Sequence, residues 1–168
     1  GEVSDETPYG YHLAGDAFIV EWSDDTTENT LMRWWRMTVR RLLGFDFIHV
    51  WRNRRVIQRA DVVWTHTERE HLAVALLKAL RPRRYRAVSV AQSVWLWDIW
   101  PRISRLRTRF FARLLRQHAV EVVLSSANAT ASRSTVPGRA VMHVPFGTGF
   151  ATPPSEPPSE PHVLVIGN

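Results

Sequence analysis

Short runs of apolar, largely β-branched residues alternate along this chain with longer stretches of helical periodicity, and that alternation limits the fold more than any other feature. It is the pattern of βαβ units, in which each crossover helix returns the chain to a strand running in the same direction. Strands are predicted over residues 18–22, 61–66, 87–92, 121–125, 140–145 and 162–167, and helices over 31–43, 47–58, 68–80, 102–117 and 127–134. Gly44 is placed to stop the first helix. The expected fold is α/β, a Rossmann-like and mostly parallel sheet with helices on both faces.

The segment 152–161, TPPSEPPSEP, repeats a Pro-Pro-Ser-Glu unit that can enter neither a helix nor a central strand, so it reads as a stiff interdomain linker. Residues 1–151 then form one domain, and residues 162–168, HVLVIGN, read as the first strand of a second. At the other end, PYGYHLAG looks like a glycine-containing loop entering a helix, with no strand ahead of it. The expectation is a domain lacking its own first strand, followed by a domain of which only the first strand is present. The proline linker is long enough for that last strand to fold back beside the sheet.

Composition narrows the function classes. The chain has 168 residues, a hydrophobic fraction of 45% and a net charge of +6, enough for one well-buried domain with a basic surface. Cysteine is absent, which removes disulfides, thiolate metal sites and thiol nucleophiles. No apolar run reaches the roughly 20 residues that span a bilayer, and the acidic GEVSDETPYG is unlike a signal peptide, so a soluble, cytoplasmic chain is expected. On the same ground the match of Asn128-Ala129-Thr130 to a glycosylation acceptor is taken as chance. Lys78 is the only lysine; the positive charge is otherwise arginine, gathered over 33–41, 52–59, 81–86 and 102–116. Such runs either solvate helix faces or meet phosphates.

In open parallel sheets, ligands bind where strand carboxyl ends meet helix N-termini. Four predicted strand ends are polar: Thr65-His66-Thr67, Ala91-Gln92-Ser93, Ser125-Ser126 and Pro145-Phe146-Gly147. His66 can donate or accept a hydrogen bond near neutral pH, so it either contacts a substrate hydroxyl or ties the strand end to a neighbouring loop. Thr67 and Glu70 form the Thr-x-x-Glu pattern of a capping box ahead of LAVALL. His66 and His71 lie five apart, not the four that place two zinc ligands on one helix face, so no metal is expected. Asp98 lies among Trp95, Trp97 and Trp100, an arrangement that suits either a carbohydrate face or hinge packing.

The segments ADVVWTHTERE, VSVAQSVWLWD, VVLSSANAT and HVPFGTG resemble, in order and spacing, the N-terminal domain of family 4 glycosyltransferases, including bacterial exopolysaccharide enzymes of the GT-B fold. The likeness spans roughly residues 8–168. It implies that this domain holds a glycan or lipid-linked acceptor, while a second domain, carrying a paired-glutamate motif, grips the nucleotide-sugar donor. Sugar transfer would occur in the cleft between them, with no cofactor on this chain. His66 is the catalytic candidate, and Tyr9, Gly10, Thr67, Gln92, Asp98, Ser125, Ser126 and Gly147 are the substrate-binding candidates. Gln92 departs from the family, which often has histidine then aspartate at that strand end. Only one glycine occupies the first-loop turn at Tyr9-Gly10, which leaves a tight turn as the simpler role there.

The helix LMRWWRMTVRRLL sets Leu31, Trp34, Trp35, Val39 and Leu42 on one face and Arg33, Arg36 and Arg40 on the other. An amphipathic helix covering the sheet is the ordinary reading. Tryptophan with arginine also suits peripheral contact with the inner face of the plasma membrane, through Trp34, Trp35, Arg33 and Arg36. An arginine-rich nucleic-acid module or an anionic membrane-surface domain is the alternative to the enzyme. The sequence contains no zinc-finger spacing, RNP-like strand or KH-type glycine loop, so no nucleic-acid partner is expected.

Overall fold

A computed structural model of the chain describes residues 18–24 and 27–145. Four strands, β1 (Val62–Thr65), β2 (Val88–Ser93), β3 (Val120–Val123) and β4 (Ala140–His143), form one sheet in the order β1-β2-β3-β4, every neighbouring pair parallel. Seven helices flank them: α1 (Thr30–Leu43), α2 (Phe47–Arg52), α3 (Arg54–Arg59), α4 (Glu68–Leu80), α5 (Leu96–Ile99), α6 (Arg105–Leu115) and α7 (Ser126–Thr135). The Rossmann-like α/β class is therefore as expected from the alternation of the sequence. The linker 152–161, the run 162–167 and the loop holding Tyr9 and Gly10 lie outside the described residues, as does Gly147.

The core sits between the sheet and its crossover helices. Leu72, Leu77, Leu96, Leu115, Val123 and Val136 are fully buried there, with Phe45 and Tyr85. α4 packs on β1 and β2 on one side and on α2 and α6 on others, so His71, Leu72, Ala73, Val74, Ala75 and Leu77 are all buried. A helix enclosed on several sides has little amphipathic pattern, and the small Ala73 and Ala75 allow its neighbours to approach closely. The register sets Val62, Trp64, Val88 and Met142 on one face of the sheet, where each is about half exposed.

Several boundaries differ from the sequence reading. Residues 18–24 form no strand and are held by side chains instead: Asn53 accepts from the Asp24 amide at 2.9 Å and donates to its carbonyl at 3.2 Å, and Arg59 pairs with Glu21 at 2.9 Å. An apolar run becomes a strand only where a neighbouring strand can pair with it. Buried Asn53 also splits the predicted helix 47–58 into α2 and α3, donating to the His49 carbonyl at 3.1 Å. The predicted helix 102–117 starts later, at Arg105, after α5 and a 3-10 turn, Trp100–Arg102, that contains Pro101. β3 begins and ends earlier than predicted, so Ser125 has left the strand and caps α7.

α1 departs most from its ordinary reading. It has no fully buried residue, and it packs mainly on α2. Arg36 faces inward, bonding Asp46 at 2.9 Å and Glu28 at 3.1 Å, and Arg52 joins the same Glu28. The apolar stripe of Leu31, Trp34, Trp35 and Leu42 faces out. The helix ends at Gly44 with φ of 89°. There Arg107 Nη2 donates to the Leu42 carbonyl at 3.1 Å.

Candidate functional site

Because all four strands run the same way, the residues that follow or end β1, β2 and β3 share one edge of the sheet. His66 follows β1, Ser125 comes shortly after β3, and Gln92 is the next-to-last residue of β2, so all three lie at this end of the sheet. α4 and α7 start from this edge, so the positive ends of two helix dipoles face it.

Each candidate has a definite local setting. His66 is half-buried between β1 and α4. Thr67 caps α4: its hydroxyl accepts from the Arg69 amide at 3.3 Å, while the Glu70 carboxylate accepts from the Thr67 amide at 3.0 Å and bonds its hydroxyl. The capping box is thus formed, and Thr67 is committed to it. Gln92 is buried and accepts from Trp64 Nε1 at 3.4 Å. Ser125 Oγ accepts from the Asn128 amide at 3.1 Å, and Ser126 next to it is exposed.

The tryptophan loop divides in two. Trp97 is buried and packs on Trp100 with centroids 4.9 Å apart and ring planes tilted by 32°, so these two pack the core and do not offer a carbohydrate face. Trp95 and Asp98 are exposed on the same short segment, and the Trp95 amide donates to Glu68 at 3.4 Å across to α4. An aromatic face and a carboxylate three residues apart therefore remain at the edge.

Directly beneath this edge is a polar network that the sequence reading missed. Glu121, wholly buried on β3, accepts from Ser93 Oγ at 2.5 Å, Trp97 Nε1 at 2.9 Å, Ser132 Oγ at 2.6 Å and Arg139 Nη2 at 2.9 Å. It joins β2, α5, α7 and the approach to β4. Since the Ser93 proton goes to Glu121, His71 Nε2 at 3.0 Å must donate to Ser93, which makes His71 the neutral tautomer with a bare Nδ1. That nitrogen has no partner, nor has Nε2 of His118, whose ring meets His71 edge-on at 5.3 Å. Burial, then the nearby Arg139, pushes His71 down to about 3. Burial first, then His71 and Lys78, holds His118 well below the usual histidine value. Lys78 is also depressed by burial and donates to the Ala87 carbonyl at 2.6 Å and to Ser89 at 3.1 Å.

Serine, histidine and glutamate in contact invite a hydrolase reading, but Ser93, His71 and Glu121 are all sealed from solvent and no substrate can reach them. Their work is positioning: they fix where α5 and α7 meet the edge. A lone acid inside the apolar strand VEVVL was the one available signal. Among the described residues no cluster of three or more His, Cys, Asp or Glu could hold a metal ion.

The fold and edge define a Rossmann-like parallel α/β domain with a polar carboxyl edge. No family model, curated protein or solved structure matches the chain.

Proposed function

We propose that this chain is the acceptor-side half of a two-domain glycosyltransferase, with a sugar moved from a nucleotide-sugar donor to a glycan or lipid-linked acceptor over the carboxyl edge. The observation that supports it is the shared edge itself. His66 and Ser125 follow β1 and β3, Gln92 is the next-to-last residue of β2 between them, and exposed Asp98 and Trp95 lie on the segment after β2. In this reading His66 hydrogen-bonds a reacting hydroxyl, Asp98 accepts from sugar hydroxyls and the Trp95 ring packs on a C–H face. Gln92 is buried against Trp64 and is no acid, so proton transfer falls to His66. Thr67 and Ser125 serve through the helix ends they cap. A second domain grips the donor, and exposed Ser126 borders the acceptor.

The test is amide chemical-shift mapping on the isotope-labelled chain, titrated separately with a panel of oligosaccharides, with polyprenyl-phosphate sugars and with UDP-sugars. An acceptor-side domain shifts at His66, Trp95, Asp98 and Ser126 with one of the first two and little with the third. Shifts confined to another surface, or produced by UDP-sugars alone, contradict it.

A further inference from the structure

α1 is an amphipathic helix mounted with its apolar face outward. Leu31, Trp34, Trp35 and Leu42 fall within one stripe, and their exposures of 73%, 64%, 55% and 72% are those of side chains that no described residue covers. The inward side carries Arg36, spent on Glu28 and Asp46, beside Leu43, which packs on the core. A helix that served only to cover the core would be turned the other way.

The charge beside the stripe selects what it meets. Arg33, Arg40, Arg41 and Arg69 have no ion pair among the described residues. Trp34, Met37, Arg40, Arg41 and Arg69 line an open groove of about 500 Å³ at one flank of the stripe. An indole-rich apolar stripe bordered by unneutralised guanidinium groups is complementary to a bilayer interface: the rings sit at headgroup depth and the arginines meet phosphate. A protein partner would have to supply both an apolar groove and several carboxylates. The chain's net charge of +6 adds attraction to an anionic surface as a whole. No helix among the described residues is long and apolar enough to cross a membrane, so contact would be in the plane of the interface.

We infer that the outward face of α1 is a membrane-docking surface for anionic lipid, with Leu31, Trp34, Trp35 and Leu42 entering the interface and Arg40, Arg41 and Arg69 taking headgroup phosphates. The inference does not depend on sugar transfer and holds or fails separately from it.

Vesicle co-sedimentation tests it, using the 168-residue chain with phosphatidylcholine vesicles and with phosphatidylcholine–phosphatidylglycerol vesicles. The expected result is binding to the anionic vesicles only, weakened at least tenfold in the Trp34→Ser/Trp35→Ser variant and in Arg40→Glu/Arg41→Glu. The Arg83→Glu/Arg113→Glu variant changes the same charge at exposed positions on other elements and should lose far less. All of these side chains lie outside the core, and circular dichroism with a urea midpoint checks that each variant is folded. Equal binding to both vesicle types, no binding to either, indifference to the tryptophans, or an equal loss in the control variant would overturn the inference. So would a dimer in solution that the tryptophan variant dissolves, since α1 would then be covered by a second copy.

Discussion

Glu121 and Arg139 form an ion pair of 2.9 Å whose carboxylate is wholly sealed from water and whose guanidinium is nearly so. The carboxylate is also held by Ser93, Trp97 and Ser132, so its charge is compensated only while the whole set is in place. Replacing Arg139 by methionine leaves a buried charge without its counter-ion, at a cost of about 3–5 kcal/mol. The double change Glu121→Gln/Arg139→Met removes both charges and is expected to cost less than Arg139→Met alone. Urea unfolding of the three proteins checks the order.

The two neutral histidines give the protein a stability that depends on pH. Both have folded values below the ordinary histidine value, so between about 6.5 and the His71 value of about 3 the unfolded chain takes up protons that the folded chain refuses. The contribution of the two histidines is therefore level above about pH 6.5 and falls as the pH drops below it. Each histidine contributes a slope approaching about 1.4 kcal/mol per pH unit, and the pair about twice that. The urea midpoint, followed from neutral to mildly acid pH, is expected to fall along this slope, and His118→Gln is expected to roughly halve it.

Gly44 ends α1 in the left-handed region, with φ of 89°, and a Cβ there would stand 3.1 Å from Phe111 Cζ. Gly44→Ala combines backbone strain with crowding against a buried ring, and should lower stability by about 1–2 kcal/mol. Gly138, also at positive φ, has nothing within 4 Å of an added Cβ, so Gly138→Ala carries the backbone term alone. Thermal melts of the two variants separate the terms.

Thr67→Ala removes the hydroxyl half of the α4 capping box and should cost about 1 kcal/mol, as helix caps generally do. Because Thr67 lies beside His66, a loss of function without a loss of stability would instead mark it as a substrate contact.

Four of the strands, the start and stop of α4 and the shared carboxyl edge were legible because they rest on local signals: β-branched runs, a Thr-x-x-Glu cap and the rule that crossovers return in one direction. What escaped depends on distant partners. Residues 18–22 have strand character, yet this segment is tied by Glu21 to Arg59 and by the neighbouring Asp24 to Asn53, 38 and 29 residues on. Periodicity told that α1 has two faces but not which one Glu28 and Asp46 would draw inward. Trp95 and Trp97 are indistinguishable in sequence, and only Glu121 explains why Trp97 is the buried one. The network around Glu121 joins five segments of the chain, and no local window contains it.

The central claim is sugar transfer over the edge that carries His66. The most direct measurement is transfer of labelled sugar from UDP- and GDP-sugars by the 168-residue chain joined to a donor-binding domain, with and without His66→Ala, beside the 168-residue chain alone. Turnover is expected from the two-domain protein and none from the chain alone, with a loss of about ten- to a hundred-fold in His66→Ala at unchanged stability, the effect of one hydrogen bond to a reacting group. Transfer by the 168-residue chain alone, an unaffected His66→Ala protein, or no transfer from any donor by the two-domain protein would contradict it.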